Sequence, residues 1–166
     1  HLLATPSQAR SRGPRILVLT PTRELALQVS EAAKKYGKHL PRINVVSILG
    51  GMPYPLHNKL LSQPVEILVA TPGRLIDHIQ RGRIDFKRLQ MLVLDEADRM
   101  LDMGFIEDVE TIAAATPDTR QTLLFSATLD GAIDKVAAKL LKTPKRIQVA
   151  SSKTRLDNIE QRLHYT

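Results

Sequence analysis

Short apolar runs recur along this chain with amphipathic stretches between them, and that alternation restricts the fold more than any other feature. The runs are ILVLT (16–20), NVVSIL (44–49), EILVAT (66–71), MLVLD (91–95), TLLFSAT (122–128) and RIQVA (146–150). Four apolar residues followed by a turn suit a strand buried on both faces, as in a parallel sheet. Between the runs, Leu25, Val29, Ala32 and Tyr36 follow the helical period, as do Phe105, Val109 and Ile112. So do Ile133, Val136 or Ala137, and Leu140. Strand and helix in strict alternation predict βαβ units: an α/β fold whose parallel sheet carries helices on both faces.

Boundary residues support the same reading. Thr71 and Pro72 suit the N-cap and first position of a helix, Gly82 a helix stop, and Asp130 a further N-cap. At 166 residues the chain is expected to be one domain with a sizeable core. It has no internal repeat. The first dozen residues and Gly13-Pro14 read as a helix remnant and a loop, 151–158 as a polar linker, and IEQRLHYT (159–166) as a strand that begins something else.

Composition narrows the function classes. The absence of cysteine excludes disulfides and thiolate metal sites. No apolar stretch approaches the ~20 residues that span a bilayer, and the start has no long apolar signal core, so the expected location is cytoplasmic, with no membrane partner. Lys and Arg outnumber Asp and Glu by 24 to 17, a net charge of +7, which favours a polyanionic partner. With three Tyr, three Phe and no Trp, stacking of bases on aromatic platforms is disfavoured, and a nucleic acid would be held by its backbone.

Chemistry-bearing residues gather where the predicted strands end. MLVLDEAD (91–98) finishes an apolar run with Asp95, Glu96 and Asp98. Ligands of parallel sheets collect at the carboxyl ends of strands. There Asp95 could hold a hydrated metal ion and Glu96 could take a proton from water. Carboxylates also favour helix starts through the helix dipole, and on this segment alone both readings stand. The other strands end in TPTRE (20–24), Gly50-Gly51, TPGR (71–74) and SAT (126–128). Glycine amides, helix N-termini and Arg forks bind phosphate. Each has a local alternative, in which Thr71 and Pro72 only start a helix, Gly50 and Gly51 turn the chain, Ser126 and Thr128 satisfy backbone groups, and Arg23 and Arg74 face solvent. Five such endings on one rim are better explained by a ligand.

PTRELALQ (21–28), Gly50-Gly51, TPGRL (71–75), DEAD (95–98), RMLDMGF (99–105) and SAT (126–128), in that order and spacing, resemble the first RecA-like domain of a bacterial DEAD-box ATP-dependent RNA helicase. The resemblance implies a RecA-like P-loop NTPase core, with 1–150 a partial first helicase domain and 151–166 a linker and the start of the second. It implies ATP and Mg2+ as cofactors, Asp95 holding Mg2+ through water and Glu96 acting as the base on the attacking water. Asp98 would couple to Ser126, Thr128 and the partner domain. Pro21, Thr22, Arg23, Glu24, Gly50, Gly51, Thr71, Pro72, Gly73 and Arg74 would grip the RNA backbone without sequence preference. The family works as a clamp, in which two RecA-like domains close on ATP and RNA and bend one strand out of its duplex.

The chain departs from the family pattern in one respect. It contains no G-x-x-x-x-G-K-[ST] loop, since Gly37-Lys38 is followed by His39, and the adenine-reading Gln motif and the second domain are also absent. The expectation is a fragment that neither holds ATP tightly nor hydrolyses it alone. The missing first strand should leave a gap between TLLFSAT and RIQVA, so that the fragment is unstable, dimerises through exposed edges, or closes the gap with RIQVA. The alternative reading is a catalytically silent RNA-backbone-binding module. A phosphate-accepting flavodoxin-like regulator would share the sheet but leave PTRELA, TPGR and SAT unexplained.

Overall fold

The computed structural model describes residues 13–40, 43–128 and 130–141, with the backbone of 144–149 and 160–165. The expected alternation is present. Strands β1 (Ile16–Leu19), β2 (Val45–Ile48), β3 (Ile67–Ala70), β4 (Met91–Leu94) and β5 (Gln121–Ser126) alternate with helices α1 (Arg23–Gly37), α2 (Tyr54–Leu61), α3 (Pro72–Gln80), α4 (Ala97–Asp102), α5 (Ile106–Ala114) and α6 (Gly131–Leu140). Two further strands, β6 (Pro144–Val149) and β7 (Glu160–Tyr165), complete the sheet, whose order is β2-β3-β1-β4-β5-β7-β6. The first five strands are mutually parallel, with Leu17 level with Leu68 on one side and Leu92 on the other.

Alternation of side chains along each strand divides the core in two. Leu17, Leu19, Leu68, Leu92, Leu94 and Leu124 face one way, into a layer built with Leu75 of α3, Met100 of α4, Ile112 of α5 and Ile133 of α6. Val18, Ile67 and Val69 face the other way, against Ala26, Val29 and Ala33 of α1. The second layer is thinner. Helix α1 packs on β2 and β3, while Met91, Val93, Leu123 and Phe125 are only half-buried. Helices thus lie on both faces, as expected, but unequally.

The gap expected between TLLFSAT and RIQVA is neither open nor closed by RIQVA. Strand β7, from the segment expected to begin a second domain, lies antiparallel between β5 and β6. An unpaired strand edge leaves a row of N–H and C=O groups without partners, and a neighbouring extended segment satisfies them. Because β6 and β7 follow one another in the chain, the return is antiparallel, which needs no helical crossover.

At the amino ends of the strands, the almost fully buried Arg15 pairs with Glu66 at 3.7 Å and donates to Gln90 Oε1. Arg88 pairs with the same Glu66 at 3.3 Å and donates to the Val65 carbonyl at 2.7 Å. This network clamps β1, β3 and the approach to β4 at the end opposite the motif-bearing turns.

Candidate functional site

Strand order sorts the five motif endings into two groups. Gly50-Gly51 follows β2, TPGR follows β3 and TPTRE follows β1, so these three share one half of the rim; DEAD follows β4 and SAT follows β5 on the other half.

In the first group, local chemistry shapes the turns and leaves a few groups outward. Pro21 and Pro72 are buried and set the chain direction at two helix starts. Thr22 caps α1, its hydroxyl accepting the Leu25 N–H at 3.3 Å, and the Thr20 hydroxyl donates to the Thr22 carbonyl. Arg23 and Glu24 are exposed. Thr71 occupies the N-cap of α3 in extended conformation with no side-chain cap bond, which leaves its hydroxyl available at the rim. Gly51 has φ +85°, a conformation that favours glycine, and a Cβ there would lie 3.7 Å from Arg23 Nη1. Gly50 and Gly73 face open space. Arg74 donates to the Met52 carbonyl at 2.6 Å and lies 4.3 Å over the ring of Tyr54, with Arg81 at 4.7 Å. The PTRE, GG and TPGR segments, far apart in sequence, are thereby joined as Arg23 beside Gly51 and Arg74 on Met52.

The sequence reading missed what lies behind this group. His57 of α2 and His78 of α3 are fully buried and their rings meet, Nδ1 to Nε2, at 3.2 Å. The Leu49 N–H points at His57 Nε2 at 3.4 Å, and the Tyr54 hydroxyl donates to Asp77. Burial lowers the pKa of His57 to about 4, with the neighbouring His78 and Arg74 adding to the effect. His78 is lowered too, first by burial and then by Arg83, Arg74 and Arg81, against Asp77. Helical spacing places both histidines on core-facing positions, but that pattern does not reveal that the two rings meet.

In the second group, the Asp95 amide donates to the Leu19 carbonyl at 2.9 Å, continuing the β1–β4 pairing to the edge. Glu96 then adopts φ 52°, ψ 54°, left-handed for a residue that rarely tolerates it, and its carbonyl receives the Arg99 and Met100 amides as α4 begins. The sharp reversal leaves Asp95, Glu96 and Asp98 half-buried at the rim. Burial raises the Glu96 pKa, and the negative charge of Asp95 raises it further, partly offset by Arg99. Two carboxylates that repel each other are a donor set suited to a small hard cation. Among the described residues no group of three or more His, Asp and Glu forms a complete cage. Ser126 is buried, donating to the Thr128 carbonyl at 2.6 Å and accepting the Thr128 N–H at 3.3 Å, so SAT is a self-closed turn. Among the described residues no hydrogen bond joins Asp98 to either hydroxyl.

No described helix is long and apolar enough to cross a membrane. Residues 2–136 match the family model described as DEAD/DEAH box helicase. The chain is 51% identical over 150 residues to the ATP-dependent RNA helicase DeaD of Klebsiella pneumoniae, covering 90% of this chain and 23% of that protein. It is 47% identical over 151 residues to the protein of the same name in Mycobacterium tuberculosis, covering 91% of this chain and 27% of that one. The yeast DEAD-box splicing factor Prp28, as a crystal structure, superposes with a TM-score of 0.74 at 39% identity over 78% of this chain and 31% of that chain. The chain thus spans about a quarter of the length of the curated relatives it matches. With the motif endings sorted along one sheet edge and a family model matched over most of the sequence, the chain belongs to the DEAD/DEAH box helicase family.

Proposed function

We propose that this chain is most of the first RecA-like domain of a cytoplasmic ATP-dependent RNA helicase, with 151–166 the connection toward a second such domain. The observation that supports this best is the sorting of the rim by strand order, with the glycine turns and the two arginines on the β2-β3-β1 half and an acidic pair on the β4-β5 half.

On the first half, the amides around Gly50, Gly51 and Gly73 and the guanidiniums of Arg23 and Arg74 present donors to successive phosphates of one RNA strand. Thr71 adds its hydroxyl, and Pro21, Thr22, Glu24 and Pro72 shape the surface or line it. Contacts of this kind position a backbone and read little sequence. On the second half, Asp95 would hold Mg2+ through water, and a bound Mg2+ would neutralise charge on the nucleotide phosphates. Glu96, its proton affinity raised by burial and by Asp95, is suited to orient water and accept its proton. Asp98, Ser126 and Thr128 stand where a second domain would close. In the described arrangement the Ser126 hydroxyl is engaged with the Thr128 backbone, so coupling to Asp98 would accompany that closure. Association of copies through the outer strands β2 and β6 is a subsidiary proposal, read directly by sedimentation.

The test is ATP hydrolysis, with and without single-stranded RNA, by the longer protein carrying this segment, beside its Glu96→Gln variant. RNA-stimulated hydrolysis that the variant loses supports the helicase reading. RNA binding without any hydrolysis would favour the second reading, a catalytically silent backbone-binding module.

A further inference from the structure

The buried histidine pair forms a continuous path behind the turns proposed to hold RNA. Because the Leu49 N–H points at His57 Nε2, that nitrogen is the acceptor and the His57 proton sits on Nδ1. His57 Nδ1 then donates to His78 Nε2, which places the His78 proton on Nδ1, an atom with no hydrogen-bond partner. Neither ring can take a second proton without aiming N–H against N–H: a proton on His57 Nε2 would face the Leu49 amide, and one on His78 Nε2 would face His57 Nδ1. The path continues outward, since Tyr54 leans on the His78 ring with centroids 5.5 Å apart and carries Arg74 on its face. Arg74 returns to the Met52 carbonyl, beyond the glycine turn that begins at Leu49. Leu49, His57, His78, Tyr54, Arg74 and Met52 thus form a closed circuit around Gly50-Gly51.

We propose that His57 and His78 are positioning residues that lock the Gly50-Gly51 turn to the Arg74 end of α3, presetting the spacing of the phosphate-binding groups without touching RNA. The proposal rests on reading the rim as an RNA-backbone site. A lock of this kind is worth having where two short turns from different βα units must present donors at one fixed separation, because preorganisation spares the ordering cost at binding. The pair suits the task because it is dry and uncharged, so its directional hydrogen bond competes with neither water nor the Arg-rich surface above it.

Substitution at residue 78, which does not itself touch the turn, is the decisive probe. In the 166-residue chain, His78→Phe keeps ring bulk but removes the acceptor, whereas His78→Gln returns an oxygen near the Nε2 position. The amide signals of Leu49, Gly50 and Gly51 and the anisotropy of a fluorescein-labelled oligouridylate are read for both, beside Arg23→Ala and Arg74→Ala. Expected are shifted turn amides and about fivefold weaker RNA binding for His78→Phe, the worth of one neutral hydrogen bond, with His78→Gln restoring both. Unshifted turn amides in a folded His78→Phe protein overturn the lock. Shifted amides with unchanged affinity, while Arg74→Ala loses affinity, overturn the positioning role alone. If neither arginine variant changes affinity, the RNA reading fails and the positioning role fails with it. Should His78→Phe not fold, imidazole nitrogen shifts of the unsubstituted chain decide: both rings neutral and protonated on Nδ1 support the circuit, and any other tautomer overturns it.

Discussion

The guanidinium of Arg23 stands so close to Gly51 that a Cβ on residue 51 would lie 3.7 Å from its Nη1, although the two residues belong to different βα units. Gly51 also holds φ +85°. Gly51→Ala therefore meets a strained backbone, while its methyl group would rest in ordinary contact with the arginine. The expected outcome is a loss of ~1–2 kcal/mol of stability from the backbone term. RNA affinity should fall beyond what the Arg23→Ala variant loses, because the turn moves as well. Urea unfolding and RNA titration of the two variants check this; an alanine variant as stable as the parent would show that the turn relaxes freely.

Glu96 carries two separable costs, a left-handed backbone and a carboxylate that burial and Asp95 destabilise. Because its pKa is raised, the ionised form opposes folding at neutral pH, and that cost disappears as acid protonates the carboxyl. Glu96→Gln should thus be more stable than the parent at pH 7, with the difference closing toward low pH. Glu96→Asn removes the charge and also tolerates the left-handed region better, adding about 1 kcal/mol. In the longer protein both should lower hydrolysis ~10²–10⁴-fold. Stability unchanged in both variants would mean that neither cost is real.

How far the sequence could be read depended on whether the determining interaction was local. ILVLT, EILVAT and MLVLD announce strands because four consecutive apolar residues suit a two-sided sheet, and they became β1, β3 and β4. Asp130 announces a cap, and its carboxylate does accept the Ala132 and Ile133 amides. The rim followed, since parallel strands must end on one edge. Three features were not legible, two of them because they depend on distant partners. Insertion of β7 is chosen by the unpaired edge of β5, which no residue of 160–165 encodes. The left-handed turn at Glu96 is imposed where β4 meets α4, and Glu has no preference for it. His57 and His78 look like ordinary helix residues until α2 and α3 are placed side by side.

Glu66 is held between two guanidiniums, Arg15 and Arg88, at the end of the sheet away from the rim. Removing one member of a largely buried ionic group leaves charge that water cannot reach, at a typical cost of ~3 kcal/mol. Glu66→Ala should therefore lower the urea midpoint markedly. Its effect on RNA affinity should be small once folding is complete, since the rim lies at the opposite ends of the same strands. A variant of unchanged stability would show that Gln90 and the backbone carbonyls alone satisfy both arginines.

His57 gives the fold a definite acid sensitivity. Its pKa stands at about 4 in the folded chain against 6.5 for the free side chain. A lowered histidine pKa means that the unfolded state binds the proton first, so stability is intact above about pH 6.5 and falls as the pH drops toward about 4. The groups facing the pair act in the same sense, with Arg74 disfavouring charge on His57, and Arg83, Arg74 and Arg81 disfavouring it on His78 against the opposing charge of Asp77. The contribution of His57 to the slope reaches at most ~1.4 kcal/mol per pH unit within that window. Urea unfolding at pH 7, 6 and 5 should show the decline, and His57→Phe, although less stable at pH 7, should show a shallower one. Equal slopes in the two proteins would mean that the acid sensitivity arises elsewhere, whereas a shallower slope in the variant assigns it to the pair that locks the glycine turn.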